Sequence, residues 1–282
     1  MKPLLVVDGD SLAHRAYHGL PKTIRRAGGR PSGAIVGFTN MLTRLYDAEQ
    51  PRAVLVGWDT LTVPTYRHEA FAPYQSGRVF DPELLEQLDL LPELVRAFGF
   101  AVGKAPGYEA DDFLAAAVVA RRRWRSPVLV VTSDRDAFQL ASDRITLLMP
   151  TRGVSELARV GPAEVRERYG VEPEQVPDFI ALRGDPSEKI PGAKGIGAKG
   201  AAELLGRYGT LEGIVEAADE LTPRQAEAVR DERLGVFRRV ATMDRGAPVG
   251  RPADNAVDQA RAAAYASQIG DERLAGRVAG RA

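Results

Sequence analysis

Carboxylates stand at the ends of several short, β-branched segments of the sequence. Asp8 and Asp59 close two such segments, and Asp134 and Asp136 directly follow a third. Open α/β sheets place their ligand sites at the carboxyl ends of the strands. We therefore expect these four side chains to meet at one edge of a sheet.

A second acidic group opens a predicted helix. Glu109, Asp111 and Asp112 follow Pro106-Gly107-Tyr108. The helix dipole favours acids in a first turn, so a helix start that faces water would explain one or two of them. Because the strand-end acids are predicted at the same edge, we favour the interpretation that this group joins them.

So many carboxylates in one place need cations, since two like charges 4 Å apart repel by about 4 kcal/mol at an effective dielectric of about 20. The chain has no cysteine, and its three histidines are scattered at positions 14, 18 and 68. Oxygen ligands alone indicate Mg²⁺ or Mn²⁺. Two such ions about 4 Å apart suit phosphodiester hydrolysis, and Asp185 and Glu188 join the site if the second half of the chain folds back on it.

The elements that position these acids alternate along the first 150 residues, as in a parallel α/β sheet. The predicted strands are 3–8, 53–59, 100–103, 128–132 and 145–148, and the predicted helices are 33–45, 82–98 and 109–123. From about residue 160 onward only helices are predicted, at 162–169, 173–182, 198–205, 211–217, 223–242 and 257–269. We expect the last residues, 271–282, to be loosely ordered.

A glycine-rich loop joins two of the later helices. Gly192, Gly195 and Gly197 permit a tight turn, and Lys194 and Lys199 flank it in a chain with only six lysines. The exposed N–H groups of the helix from residue 198 would make a phosphate seat. The alternative is a turn that only packs. Because the net charge is zero, any nucleic-acid surface must be local.

Aromatic and basic residues alternate between residues 60 and 82, which is typical of a channel for single-stranded nucleic acid. The alternative is a packed lid with no nucleic-acid contact. Further candidates for phosphate contacts are Arg15, within the first predicted helix, and Lys22 and Arg25, in the loop after it. A solvated charge run would explain the two loop residues equally well.

Six ordered motifs resemble bacterial 5′ nucleases, the family of the 5′→3′ exonuclease domain of DNA polymerase I and of phage and standalone flap endonucleases. They are Asp8-Gly9, Tyr66-Arg67-His68-Glu69, Gly107 to Asp112, Asp134-Arg135-Asp136, Gly184 to Glu188, and Pro191 to Lys199. The resemblance implies a PIN-like α/β catalytic domain at 1–160 with an arch at about 60–82. It also implies a helical subdomain at 161–270 with a helix-hairpin-helix.

The same resemblance implies roles for individual residues. It matches Asp8, Asp59, Glu109 and Asp111 to the acids around a first metal. It matches Asp134, Asp136 and Asp185 to the acids around a second metal, and it places Asp112 beside both groups. It implies that Arg67, Tyr74 and Arg78 of the arch act in catalysis and that the hairpin holds K⁺. It also implies that the protein acts as a monomer and that its partner is 5′-flap, nicked or overhanging DNA, or an RNA primer on DNA.

The sequence departs from the family pattern at two places. Glu188 and Lys189 stand where the pattern has Asp and Asn, and Gln75 stands where a lysine usually follows the arch tyrosine. Two rival interpretations remain: a DNA-structure-binding protein that has lost catalysis, and a haloacid-dehalogenase-like phosphatase that uses Asp8. The start of the chain lacks the apolar region of a signal peptide, and no apolar run is long enough to span a membrane, so we expect a cytoplasmic protein that associates with the nucleoid during repair.

Overall fold

The computed structural model describes residues 2–124, 126–152, 156–254 and 257–281, and its described strands form one sheet of six. The strands are β1 Leu4–Asp8, β2 Ala53–Gly57, β3 Ala101–Gly103, β4 Val128–Val131, β5 Ile145–Arg152 and β6 Glu156–Val160. Their order is β3-β2-β1-β4-β5-β6, and all neighbours are parallel except β5 and β6. The predicted parallel α/β sheet is confirmed, with one antiparallel strand added.

Helices cover both faces of the sheet and continue into a helical second half. They are α1 Gly9–Gly19, α2 Gly33–Glu49, α3 Tyr66–Ala70, α4 Pro82–Ala97, α5 Ala110–Trp124, α6 Pro162–Tyr169, α7 Val176–Arg183, α8 Ala198–Tyr208, α9 Leu211–Glu216, α10 Pro223–Val229, α11 Arg233–Ala241, α12 Gln259–Gln268 and α13 Glu272–Ala279. The predicted helical second half is therefore confirmed.

The core divides along the alternation of the strands, because successive side chains point to opposite faces. Leu5 and Val7 of β1 pack in one apolar cluster with α1, α2, α4, α12 and α13. Leu4 and Val6 pack on the other face with α5 and with the helices of the second half. This shared core fixes the second half beside the sheet.

One predicted helix is divided in the structure, and one strand was not predicted. The helix predicted at 223–242 is divided into α10 and α11, and Asp231 between them accepts hydrogen bonds from the backbone N–H and the side chain of Arg233. The pattern of β6 was missed because most of its residues are exposed or half-buried, so the chain there lacks the apolar run of a buried strand.

The C-terminal residues are more ordered than predicted. Residues Glu272–Ala279 form α13, with Leu274 and Val278 buried against the first core, and α13 packs on α12. Asp271 begins the helix, since its side chain accepts from the N–H of Leu274 and from the hydroxyl of Ser32. The expectation of a loosely ordered segment is wrong for these residues, because apolar residues at helical spacing follow a capping aspartate.

Across the described ranges, no helix is both long enough and apolar enough to cross a lipid bilayer.

Candidate active site

An acidic cavity of about 600 Å³ opens at the carboxyl edge of the sheet. We call this cavity the basin. Its acidic lining is Asp8, Asp10, Asp59, Asp81, Glu109, Asp111, Asp134, Asp136, Asp185 and Glu188. The structure thus brings together every acid that the sequence suggested as a metal ligand except Asp112, and it adds Asp10 and Asp81.

Asp8 ends β1 and begins α1. One carboxylate oxygen accepts from the N–H of Ser11 at 2.9 Å, and the other accepts from the hydroxyl of Thr132 at 2.8 Å. Burial raises the pKa of Asp8 from 3.8 to about 7, and the neighbouring charges of Asp59 and Asp134 add to the rise. The hydrogen bonds from Ser11 and Thr132 therefore hold the Asp8 carboxylate in a buried place, where its charged form is unfavourable.

Asp59 joins the end of β2 to the start of α5. Its Oδ1 accepts from the N–H of Ala110 at 2.7 Å, and burial raises its pKa to about 6. Gly57 permits this approach, because a Cβ there would lie 2.5 Å from the carbonyl oxygen of Ala110. The glycine is thus part of what places the acids of α5 at the basin.

Asp10 is a basin residue that the sequence analysis missed. Its Oδ2 accepts from the N–H of Asp59 at 2.7 Å, and burial raises its pKa, with the charge of Asp59 as a further cause. The available signal was its place in the first turn of α1, two residues after Asp8.

The other side of the basin is built by two loops. Asp134 accepts from the N–H of Asp136 at 2.9 Å, and Asp185 accepts from the N–H of Ser187 at 2.8 Å. Burial raises the pKa of Glu188 to about 7, and the charge of Asp134 adds to it. The second half of the chain therefore does fold back to contribute acids, as predicted.

Asp112 lies below the basin instead of lining it. It is fully buried and accepts from the backbone N–H groups of Glu109 and Asp244 at 3.0 and 2.7 Å. The guanidinium of Arg67 donates to it at 3.0 Å and to Asp111 at 2.8 Å. In this arrangement the oxygens of Asp112 are occupied by these donors, and its suggested metal role stays a prediction.

Arg67 is buried together with Asp112 and is not placed to meet a substrate. Its side chain is 2% exposed, and its Nε donates to the carbonyl oxygen of Val240 at 3.1 Å. A buried charge is tolerated only when it is paired. In this structure Arg67 links α3, α5 and α11, and its suggested role in catalysis stays a prediction.

The donor chemistry of the basin fits a hard divalent cation. Burial raises the pKa of Asp111, Asp134 and Asp136, and neither the charge of Arg67 beside Asp111 nor the backbone hydrogen bond to Asp134 offsets it. The Oδ1 atom of Asp111 is buried without a hydrogen-bond partner. Within the described ranges, no group of three or more acids is close enough to hold one ion in the metal-free structure.

The segment predicted as an arch consists of α3 and the turns after it, and these turns form a wall of the basin. Tyr74 is buried, with its hydroxyl 3.0 Å from Glu109 Oε2 and 3.1 Å from Glu188 Oε1. Gln75 donates to that hydroxyl at 2.7 Å and accepts from Arg78 at 2.8 Å. Arg78 is exposed and lines the basin, which is the position that a phosphate contact requires.

Aromatic rings line the mouth of the basin. His14, Tyr17, His18 and Phe80 contribute to it, and the rings of His14 and Phe80 meet edge to face at 5.5 Å. The rings form an aromatic border beside the acidic floor.

The candidate DNA-binding residues lie in two regions. Arg15 donates to the carbonyl oxygen of Pro150 at 2.9 Å, Arg25 pairs with Glu83 at 2.8 Å, and Lys22 donates to the carbonyl oxygen of Tyr17 at 3.0 Å. Lys22 and Arg25 are exposed.

The glycine-rich loop connects α7 to α8 as predicted. Gly192 and Gly195 have φ of 72° and 83°, and a Cβ on Gly192 would lie 2.5 Å from the backbone nitrogen of Gly184. Gly197 precedes α8, and Lys194 and Lys199 are exposed beside it. The loop therefore presents two cations and a helix start to solvent.

The fold is a resolvase-like α/β domain followed by a SAM-like helical domain. Residues 3–170 match the model of the 5'-3' exonuclease N-terminal resolvase-like domain, and residues 171–263 match that of the 5'-3' exonuclease C-terminal SAM fold. The chain belongs to the 5'-3' exonuclease family.

Its relatives are of two lengths. A 5'-3' exonuclease of Mycobacterium tuberculosis is 34% identical over 98% of this chain and 96% of its own length. DNA polymerase I of Mycobacterium bovis is 40% identical over 83% of this chain, which spans 26% of that polymerase. The bacteriophage T5 flap endonuclease, solved as a pseudo-enzyme-product complex with DNA and metal ions, shares the fold at 19% identity, with a TM-score of 0.67 over 99% of this chain and 98% of the other.

Proposed function

We propose that the protein is a divalent-metal-dependent, structure-specific 5′ nuclease that hydrolyses phosphodiesters near the 5′ end of branched or nicked DNA in primer removal and repair. The observation that carries the proposal is the basin, with its buried acids of raised pKa and the unpartnered Oδ1 of Asp111. Family membership and the DNA and metal ions in the T5 relative support it.

The acids would hold the ions in two groups. Asp8, Asp59, Glu109 and Asp111 would serve the first ion, and Asp134, Asp136, Asp185 and Glu188 the second, with Asp10 supporting Asp59 from the same edge. When bound, Mg²⁺ or Mn²⁺ supplies an activated water and stabilises the charge on the leaving oxygen.

The protein's other groups would bind and orient the DNA. Arg78 lies exposed at the basin and would contact a phosphate of the cut strand, while Tyr74 fixes Glu109 and Glu188. Lys194, Lys199 and the N–H groups at the start of α8 would hold duplex phosphates, which positions DNA without reading its sequence. Backbone carbonyls of this loop would hold a K⁺ ion.

The protein would act as a monomer, on RNA primers as well as on DNA 5′ strands, in the cytoplasm at the nucleoid. Residues 1–160 would be the catalytic domain and residues 161–270 the DNA-binding subdomain.

The test is cleavage of a labelled 5′-flap duplex with Mg²⁺, Mn²⁺ or EDTA, by the parent protein and by Asp134→Asn. We expect metal-dependent cutting by the parent, and no cutting but undiminished DNA binding by the variant, because the loss of one negative charge reduces repulsion of phosphate. DNA binding without cutting under all metals would instead support the non-catalytic alternative. Phosphate release from small esters with no DNA cutting would support the phosphatase.

A further inference from the structure

Two segments meet at the rim of the basin, the turn at 74–78 and the loop at 185–190. The loop is closed by hydrogen bonds in both directions between the backbones of Asp185 and Ile190, each 2.8 Å long. It directs Glu188 into the basin, where Glu188 meets the hydroxyl of Tyr74. The next residue, Lys189, is thereby held at a fixed place on the rim.

The side chain of Lys189 extends toward the facing turn. Its Nζ lies 3.8 Å from the position that a Cβ on Gly77 would occupy. The residue is exposed, and no ion pair of Lys189 occurs within the described ranges. An unpaired ammonium therefore stands beside a strongly acidic cavity.

Lys189 occupies this place at a conformational cost. Three non-glycine residues in the described part of the chain have positive φ, namely Gln50, Gln75 and Lys189, with φ of 44°, 47° and 62°. Left-handed backbone is unfavourable for a long side chain, while glycine and asparagine adopt it more readily. Strain of this kind at the rim of a site points to a function for the side chain.

Gln75 cannot supply a cation on the opposite side of the rim. Its amide is neutral, its Nε2 donates to the hydroxyl of Tyr74 at 2.7 Å, and its Oε1 accepts from Arg78 at 2.8 Å. It serves instead to orient Arg78. The turn at 74–78 therefore presents one cation, and the loop presents the other.

We propose that Lys189 is a catalytic residue, whose ammonium contacts the phosphate of the 5′ strand being cut and works with Arg78 across the rim. The inference rests on the proposed function and assigns a particular group to it. A cation beside the reacting phosphate stabilises charge that develops in the transition state, and removal of one such group typically slows the chemical step by about 10²-fold.

The experiment measures single-turnover cleavage of a 5′-flap duplex at saturating enzyme, which reports the chemical step. We expect Lys189→Ala to lower the rate tenfold or more and Lys189→Arg to retain most of it. Adding Gln75→Lys to Lys189→Ala should restore at least part of the rate, because it returns a cation to the opposite side of the rim. Lys2→Ala is the matched control, since Lys2 is an exposed lysine that precedes β1 at the other edge of the sheet.

Lys189→Asn separates this role from a structural one. Asparagine tolerates the left-handed backbone, so the variant should melt at the same or a higher temperature while it cuts at least tenfold more slowly. A structural role would lower both quantities.

Cutting by the parent together with an unchanged rate for Lys189→Ala would overturn the inference and leave the proposed function intact. A loss of affinity for every duplex at an unchanged single-turnover rate would also overturn it. If the parent cuts no 5′-ended substrate under any metal, the proposed function itself fails.

Discussion

Neutralising Asp8 should stabilise the metal-free protein while it abolishes cleavage. Burial raises the pKa of Asp8 from 3.8 to about 7, and each tenfold change in proton affinity is worth about 1.4 kcal/mol. The ionised carboxylate therefore costs the folded protein about 4 kcal/mol above pH 7. Asn keeps the side-chain oxygen that caps α1 through Ser11, so Asp8→Asn should recover at least half of this free energy.

The sign of the effect fixes the pH window. The folded protein holds the proton of Asp8 more tightly than the unfolded chain, so the contribution of Asp8 to stability is complete below pH 4 and is lost as pH rises to about 7. The gain from Asp8→Asn should appear at pH 8 and vanish at pH 4.

The assay is urea or thermal unfolding in EDTA, with Asp89→Asn, an exposed acid on α4, as the control. A gain of about 2 kcal/mol would raise the melting temperature by roughly 4 to 8 °C. Mg²⁺ should stabilise the parent more than Asp8→Asn. An equal gain at pH 4 and pH 8, or none at pH 8, would refute the argument that burial of this charge destabilises the metal-free fold.

Three further substitutions test other parts of the structure. Lys199→Ala should weaken binding to all duplex sequences alike and reduce the slope of log affinity against log salt by about 1, since one phosphate contact is lost; an unchanged slope would show that this exposed lysine does not touch DNA. Arg67→Met should lower the free energy of unfolding by about 3 to 5 kcal/mol in urea titrations, because Asp111 and Asp112 lose their buried partner; a loss below about 1 kcal/mol would contradict that role. Leu274→Ala, which truncates a fully buried side chain of α13, should cost about 2 to 5 kcal/mol by the same measurement, whereas a near-neutral result would mean that α13 contributes little to the core.

The acids at strand ends could be predicted because periodicity locates the strands and a parallel sheet gathers their carboxyl ends. Asp8, Asp59 and Asp134 all reach the basin for this reason. Asp10 was missed because the first turn of a helix gives an acid a sufficient local explanation.

Long-range pairing could not be predicted from local pattern. Asp112 has the same sequence context as Asp111, but Asp111 lines the basin while Asp112 is fully buried. This difference depends on Arg67, Val240 and Asp244, which lie far away along the chain. The strand β6 was missed for a related reason, since its partner β5 stabilises a segment with little apolar character of its own.

The buried guanidinium of Arg67 has a consequence for the order of folding. It bonds to acids on α5 and to Val240, which is 173 residues away in sequence. Neither the arginine nor its acids can lose water favourably before both partners arrive, and contacts between distant parts of a chain form late because closing long loops costs entropy. We therefore expect the sheet to assemble before its acidic edge does, so that the chain acquires its reactive surface last.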